Sequence, residues 1–515
     1  EGFGSSICVL MVAAQVFTTA TKQKRPHIVY ILADDLGWND VGFHGSNAIQ
    51  TPNIDALAYS GIILQNFYVN PLCTPSRAAL MTGKYPIRTG MQHFVLYGAE
   101  PRGLPLKEKL LPEYLKELGY TNHMVGKWHL GHYKKKYTPL YRGFHSHLGF
   151  WTGRQDFYDH TACENGTWGL DMRRGMDVAY DLHGEYSTDV FTRKATSLIR
   201  DHDPSKPLFL YMSHAAILIK HSLNYFNQLD SSVLISYAFL VALYKLDQSV
   251  GLLVEALSER KMLEDTIIIF TTDNGGPAAG FNINAASNWP LKGVKSTLWE
   301  GGVRGAALVW STAFKNPGRV STQLMDITYW LPTLLSAASN KSIDTSHKLD
   351  GHDVWDSLVS DKPFSNTTIL HNIDPIDGNA ALRHGKWKYV NGNLNYLRQA
   401  MVVCSDRKDS KSCDPFHGPC LFNIEDDPCE TNNVAKEHPE VLKDLQSRLN
   451  EISKTAEPPG NLPLYERGNP EHWSYVWTNF GDHLNLPDDI KPKGEPLLPI
   501  TEAVFACTKN GGKLF

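Results

Sequence analysis

Four short, nearly continuous apolar runs set the folding problem for this chain: residues 27–33 (HIVYILA), 207–212 (PLFLYM), 266–272 (TIIIFTT) and 303–310 (VRGAALVW). A strand that is apolar on both faces must be covered on both faces, as the strands of a parallel sheet are. Between the runs, residues 109–118, 187–200, 236–257 and 326–338 carry apolar residues at helical spacing. Strands alternating with helices predict an α/β fold, a large mixed and mostly parallel sheet sandwiched by helices, over residues 25–360. Beyond about residue 360 the pattern changes. Residues 367–371 and 386–390 read as short strands and 439–454 as one amphipathic helix, among loops rich in Cys, Pro, Asn and Asp. A smaller C-terminal α+β domain with antiparallel strands and a helix is therefore expected over 361–515, and 515 residues leave room for two cores.

In an open α/β sheet the functional groups gather outside the carboxyl ends of the strands. Asp34 and Asp35 directly follow the first run, and Asp273 and Asn274 the third. Four oxygen donors at one edge suit calcium or magnesium better than zinc. Adjacent aspartates after a strand also serve as helix caps. Cys73-Thr74-Pro75-Ser76-Arg77 reads as the start of a helix, with proline in its first turn. Such a terminus offers free N–H groups and a partial positive charge to an anion. An isolated cysteine there is more often simply buried or disulfide-bonded. Lys127 and His129 in 126–131 (GKWHLG), and Lys292 and Lys295 in 289–295 (WPLKGVK), lie in glycine-flanked turns. Turn-borne lysines are ordinarily surface groups.

Taken together, the words at 73–77, 126–131, 33–38 (ADDLGW) and 272–276 (TDNGG) resemble the type I sulfatase family, from His27 to about Asp482. The resemblance implies the alkaline-phosphatase-like sulfatase fold. It further implies that the formylglycine-generating enzyme converts Cys73 to formylglycine (3-oxoalanine) during maturation. Asp34, Asp35, Asp273 and Asn274, with residue 73, would hold one calcium ion. Arg77 would fix the aldehyde hydrate, and His129 would orient or deprotonate it. Lys127 and Lys295 would neutralise the bound sulfate, with Lys292 a poorer fit than Lys295. One hydrate hydroxyl would attack sulfur, and the other would expel sulfate by collapse to the aldehyde. Residues 36–45 (LGWNDVGFHG), 299–305 (WEGGVRG) and 370–375 (LHNIDP) are most similar to the arylsulfatase B branch. That similarity implies an arylsulfatase-type hydrolase acting on an aryl sulfate or a sulfated glycan such as N-acetylgalactosamine 4-sulfate.

Two departures stand out. Met81-Thr82-Gly83-Lys84 replaces the family's L-T-G-R, and Leu218 stands where the family has a substrate-contacting histidine. His214 lies too early to replace it, whereas a one-turn shift would let Lys220 or His221 do so. The alternative reading is a catalytically weakened, sulfatase-like glycan-binding protein. A third is a phosphoesterase of the wider superfamily, against which Cys73, in place of serine or threonine, argues.

Residues 7–20 (ICVLMVAAQVFTTA), followed by Lys22, Lys24 and Arg25, resemble the core of a secretory signal peptide whose start is missing. Residues 1–22 are read as its remnant, too short to span a bilayer. The other apolar run, 233–243, is expected to be a buried helix, so no stable membrane span is expected. Asn165, Asn340 and Asn366 begin N-glycosylation sequons. Setting aside Cys8 and Cys73, six cysteines remain: Cys163, Cys404, Cys413, Cys420, Cys429 and Cys507. An even number in an exported protein predicts disulfides, and the cluster at 404–429 favours local bridges. The expected address is the secretory pathway, lysosomal or secreted. A net charge of −4 gives no reason to expect nucleic acid as partner.

Overall fold

The computed structural model describes residues 25–215, 231–278, 285–339, 348–365, 367–392, 413–488 and 490. One ten-stranded sheet dominates. At its centre β1 (His27–Ala33) runs parallel to both neighbours, β9 (Leu208–His214) and β10 (Thr266–Thr272). Beyond β9 lie β3 (Thr121–Lys127) and β4 (Ser146–Phe150), again parallel, then the short antiparallel β7 (Arg173–Arg174) and β8 (Asp177–Val178). Beyond β10 come β11 (Ala307–Trp310), β2 (Ile62–Tyr68) and β12 (Arg319–Asp326). Of these only β11 runs against the central direction. A separate hairpin of β5 (Thr161–Glu164) and β6 (Thr167–Leu170) presents Asn165 at an exposed turn.

Alternation along β1 shows how both faces are covered. Ile28, Tyr30 and Leu32 join the core beneath α2 (Cys73–Thr82), α3 (Leu111–Glu117) and α7 (Trp330–Ser339). Val29, Ile31 and Ala33 join the core beneath α1 (Pro52–Ser60), α4 (Ser187–Asp201) and α5 (Ser231–Glu259). The runs 27–33 and 266–272 became strands over their full length. The run 303–310 divided: α6 (Glu300–Val303) is helical and only its last four residues are strand. Gly301 and Gly302 are wrapped by the 292–297 backbone, where a Cβ on Gly302 would stand 2.1 Å from the Thr297 carbonyl. That close wrap favours a turn over an extended chain. Within α5, Phe239, Ala242 and Leu243 are buried while Val241 and Tyr244 are exposed, so the described part of that apolar run, 238–243, is amphipathic rather than wholly buried.

The short α8 (Trp355–Ser360) precedes a second, antiparallel sheet, β13 (Thr368–Asp374), β14 (Asn379–His384), β15 (Trp387–Gly392) and β16 (Cys420–Asn423). On one face α9 (Pro439–Ser453) seats Leu445 and Leu449 over Leu382 and Leu421. The other face packs Ala381, Val390 and Phe422 against Tyr68, Trp299 and Val303 of the large body. Residues 457–488 then return to the large sheet's loops. Glu457 N–H donates to the Ile87 carbonyl, Tyr465 N–H to Ala99, and buried Trp477 Nε1 to Ala162. Cys413 pairs with Cys420, a local bridge, and Cys163 and Cys429 are disulfide-bonded too. Cys404, Cys507, Asn340, Asn366, Leu218, Lys220, His221 and the stretch 1–22 lie outside the described residues. Among those described, no helix is long and apolar enough to cross a membrane.

Where the two bodies meet, Lys388 Nζ lies 2.9 Å from Glu300 Oε1 and 2.8 Å from Glu430 Oε1, all fully buried. Burying one lysine between two carboxylates is tolerable only while all three keep their partners. Lys388→Met should therefore lower stability in urea unfolding by about 3–5 kcal/mol, the cost of stranding buried charge. An unchanged midpoint would contradict this interface.

Candidate active site

The site forms at the carboxyl ends of β1, β10, β3 and β9. Asp34 and Asp35 leave β1, Asp273 and Asn274 leave β10, Lys127 ends β3, and Ser213 lies at the end of β9. The loops after β1 and β10 must almost touch: a Cβ on Gly276 would lie 2.8 Å from Gly37 Cα, so neither word tolerates a side chain there.

The pentapeptide 73–77 opens α2, a helix buried along its whole length. Three of its residues fix the local structure. Ser76 Oγ accepts from Asn70 N–H and donates to the Asn70 carbonyl, locking the strand-to-helix turn. Thr74 Oγ donates to the His129 carbonyl and accepts from Leu96 N–H. Arg77 Nε and Nη2 reach Asp273 Oδ2 at 3.0 and 2.9 Å, and Nη2 reaches Asp34 Oδ1 at 3.3 Å. Its Nη1 donates to the Lys127 carbonyl at 3.0 Å and to Ser213 Oγ at 2.6 Å.

Cys73 Sγ lies 3.2 Å from Lys295 Nζ and 3.6 Å from Asp34 Oδ1. Lys127 Nζ contacts Asp34 Oδ1 and Oδ2 at 2.7 and 2.9 Å, and Lys295 Nζ contacts Asp35 Oδ1 at 2.6 Å. Arg77 and Lys127 are wholly closed off, whereas Lys295 keeps 8% of its surface, His129 4% and Cys73 3%. The last three are thus the groups of the cluster a ligand could meet most directly. Asp35 and His129 both adopt left-handed backbone, with φ of 62° and 58°. Such strain in non-glycine residues collects at functional sites.

Burial pushes the Cys73 thiol up to about 12, despite the nearby Lys127 and Lys295. A thiol so held is protonated and a poor nucleophile as it stands. Burial would raise Asp34 as well, but Lys127, Arg77 and Lys295 hold it well below the usual carboxylate range. Asp273 goes the other way, to about 7, because burial and the Asp34 charge outweigh Arg77. Burial, followed by the charges of Lys127 and Arg77, drives His129 well below its ordinary value. Its Nε2 lies 3.0 Å from the Leu96 carbonyl, which can only accept. The neutral ring therefore carries its proton on Nε2, leaving Nδ1 as a buried lone pair with no partner.

A metal also fits. Asp34, Asp35, Cys73 and Asp273 each bring one ligand atom within 4.8 Å of the others. Asp35 Oδ2 and Asn274 Oδ1 are buried without hydrogen-bond partners, as oxygens kept for a cation would be. With Asp273 ionised, three carboxylates balance Arg77, Lys127 and Lys295, so a dication would leave the pocket two charges positive.

All of Asp34, Asp35, Cys73, Arg77, Lys127, His129, Asp273, Asn274 and Lys295 therefore converge. Lys292 does not: its ammonium lies over the Trp299 ring, 3.4 Å from the Glu430 carbonyl. His214 also turns away, placing Nε2 3.0 Å from Ser249 Oγ on α5. Ser213 was not anticipated. Its signal was a polar residue closing an apolar strand at the same sheet edge.

The comparisons agree with this geometry. The family described as Sulfatase matches residues 26–340. The chain belongs to the sulfatase family. It is an enzyme of the sulfate-ester-hydrolysing type, similar to arylsulfatases. Arylsulfatase J of Mus musculus is 38% identical over 491 residues, 89% of this chain and 81% of that protein. N-acetylgalactosamine-6-sulfatase of Homo sapiens is 30% identical over 468 residues, 82% of this chain and 88% of that protein. Among solved structures, Ps i-CgsB in complex with k-i-k-neocarrahexaose superposes with a TM-score of 0.69 at 27% identity, covering 84% of this chain and 94% of that one.

If the oxygen set holds a dication, calcium should raise the thermal midpoint of this sulfatase and a chelator should lower it. At a hundredfold excess over Kd the stabilisation is about 2.7 kcal/mol. Asp273→Asn should largely lose the response, and an equal calcium shift in that variant would count against this ligand set.

Proposed function

We propose that this sulfatase hydrolyses the sulfate monoester of a sulfated glycan, N-acetylgalactosamine 4-sulfate being the favoured unit, through formylglycine at position 73 and one calcium ion. The observation that carries the proposal is the place of Cys73. It stands at the first turn of α2, between Lys295 and Asp34, on the edge where four oxygen donors converge. The relatives support a sugar substrate, since one is named N-acetylgalactosamine-6-sulfatase and another, Ps i-CgsB, is in complex with k-i-k-neocarrahexaose. The 4-sulfate assignment rests on the words at 36–45, 299–305 and 370–375.

In this reading Asp34, Asp35, Asp273 and Asn274 hold the calcium, together with residue 73. When bound, the calcium and the aldehyde hydrate supply Lewis acidity and a hydroxyl nucleophile. The chain's own groups do the rest. Lys127 and Lys295 draw the sulfate's non-bridging oxygens into place and neutralise them as charge develops. Arg77 bonds both Asp34 and Asp273, and so offsets their mutual repulsion and holds them fixed. His129 takes a proton at Nδ1, the atom left open by its bond to Leu96. Maturation calls for the formylglycine-generating enzyme. Disulfides at Cys413, Cys420, Cys163 and Cys429 support passage through the secretory pathway, to lysosome or exterior, and Asn165 is an exposed glycan acceptor. Leu218 favours one other reading, a weakened enzyme that chiefly binds sulfated glycans.

The purified protein should turn over an aryl sulfate far faster than an aryl phosphate. Cys73→Ser should abolish multiple turnover, since an ester on serine cannot collapse to an aldehyde. Full turnover by the serine variant would refute the release step. Tight glycan binding with negligible wild-type turnover would establish the weakened reading instead.

A further inference from the structure

The proton on His129 Nε2 is fixed by one backbone carbonyl, that of Leu96, and the small C-terminal sheet holds the loop that carries it. Loop 91–98 is tied from several directions. Thr74 Oγ receives Leu96 N–H at 3.1 Å. Glu164, a buried carboxylate, accepts from Gly98 N–H and, at 3.1 Å, from Gly153 N–H. Gly153 lies against the His129 ring, where a Cβ would come within 2.5 Å of it. The remaining ties come from far along the chain. Asn372 Nδ2 donates to the Gln92 carbonyl at 3.0 Å, and Asn461 Nδ2 to the His93 carbonyl at 3.2 Å. His93 Nδ1 meets Asp374 Oδ2 at 2.8 Å, with side chains only 7% and 4% exposed.

Asp374 is itself held. Its Oδ1 accepts from Ile376 N–H at 2.9 Å and Asp377 N–H at 3.2 Å, which leaves Oδ2 aimed at the imidazole. The tautomers of a free imidazole are close in energy, so the one present is set by whichever group the other nitrogen bonds. If the Leu96 carbonyl swings away, nothing described forces the proton onto Nε2, and the Nδ1 lone pair is lost in a fraction of molecules.

We infer that Asp374 and His93 are positioning residues for catalysis: the small sheet clamps loop 91–98 through this pair, and the loop's Leu96 carbonyl keeps His129 in the tautomer that accepts a proton at Nδ1. The inference rests on the role proposed above for His129. It gives the second sheet a part in the chemistry of the first. Asp374, Asp377 and Arg102 are the charged groups facing His93. Burial would lower the imidazole, but the bond and charge of Asp374, aided by Asp377 and opposed by Arg102, raise it above its ordinary value. The charged pair is therefore complete below pH 6.5 and is lost as the pH rises through the raised value.

The test is a double-mutant cycle on the calcium-loaded, full-length enzyme, using 4-nitrocatechol sulfate over a range of pH. Asp374→Asn keeps the shape and some hydrogen bonding, and His93→Gln serves as the second variant. Each should lower kcat by about 10–100-fold, as lost second-layer support does, with KM little changed. In a His129→Ala background the same changes should cost less than about twofold, because the group they act through is gone. The wild-type to Asp374→Asn ratio of kcat should also shrink as the pH is raised through the titration of His93. Full additivity with His129→Ala, or a penalty constant with pH, would show a merely structural pair and overturn the inference. Absence of wild-type turnover would instead fail the proposed function itself, and the inference with it.

Discussion

Everything at the catalytic edge depends on Arg77. Its guanidinium has five N–H groups, and each has an acceptor: Asp273 twice, Asp34, the Lys127 carbonyl and Ser213. One side chain on α2 thus joins the ends of four neighbouring strands. Two carboxylates delivered by adjacent parallel strands would repel each other in a dry interior, and an unpaired buried guanidinium would be equally costly. Each makes the other tolerable. The position of Cys73 follows, since it lies one helical turn ahead of Arg77 on the same buried helix.

The charge balance then links fold to chemistry. Three aspartates and three cations give a cluster that is neutral without a dication and attractive to anions with one. Its lysines rest on Asp34 and Asp35, and in the proposed reading they offer their remaining charge to the oxygens of an anionic ester. The arrangement suits developing negative charge better than a neutral ligand, because the donors are fixed before the substrate arrives. Of the groups assigned to meet it, Lys295, His129 and Cys73 keep some exposure, whereas Lys127 is closed off.

Much of this was legible in the sequence, for a physical reason. Doubly covered parallel strands must be apolar throughout, so 27–33 and 266–272 announce themselves, and the acids that follow them fall at one edge. The motif words located the converging side chains because Cys73, Thr74, Ser76 and Arg77 each have a fixed partner. Other features left no local signal. The antiparallel course of β11 depends on the wrap of Gly301 and Gly302 by a loop ahead of them. The return of residues 457–488 to the large body combines backbone bonds, which any sequence can form, with side-chain contacts of Asn461, Trp477 and Phe480 to residues far back in the chain. Ser213 carried only a faint mark. The contact of His93 with Asp374 spans 281 positions, and nothing in either neighbourhood points to the other.

The account stands or falls on the chemical state of residue 73. Mass spectrometry of the tryptic peptide bearing it, from the exported and mature protein, reads that state directly. The account predicts formylglycine, seen as loss of the thiol sulfur and gain of an aldehyde that hydrazide reagents capture. An intact thiol in protein that still hydrolyses sulfate esters would contradict it.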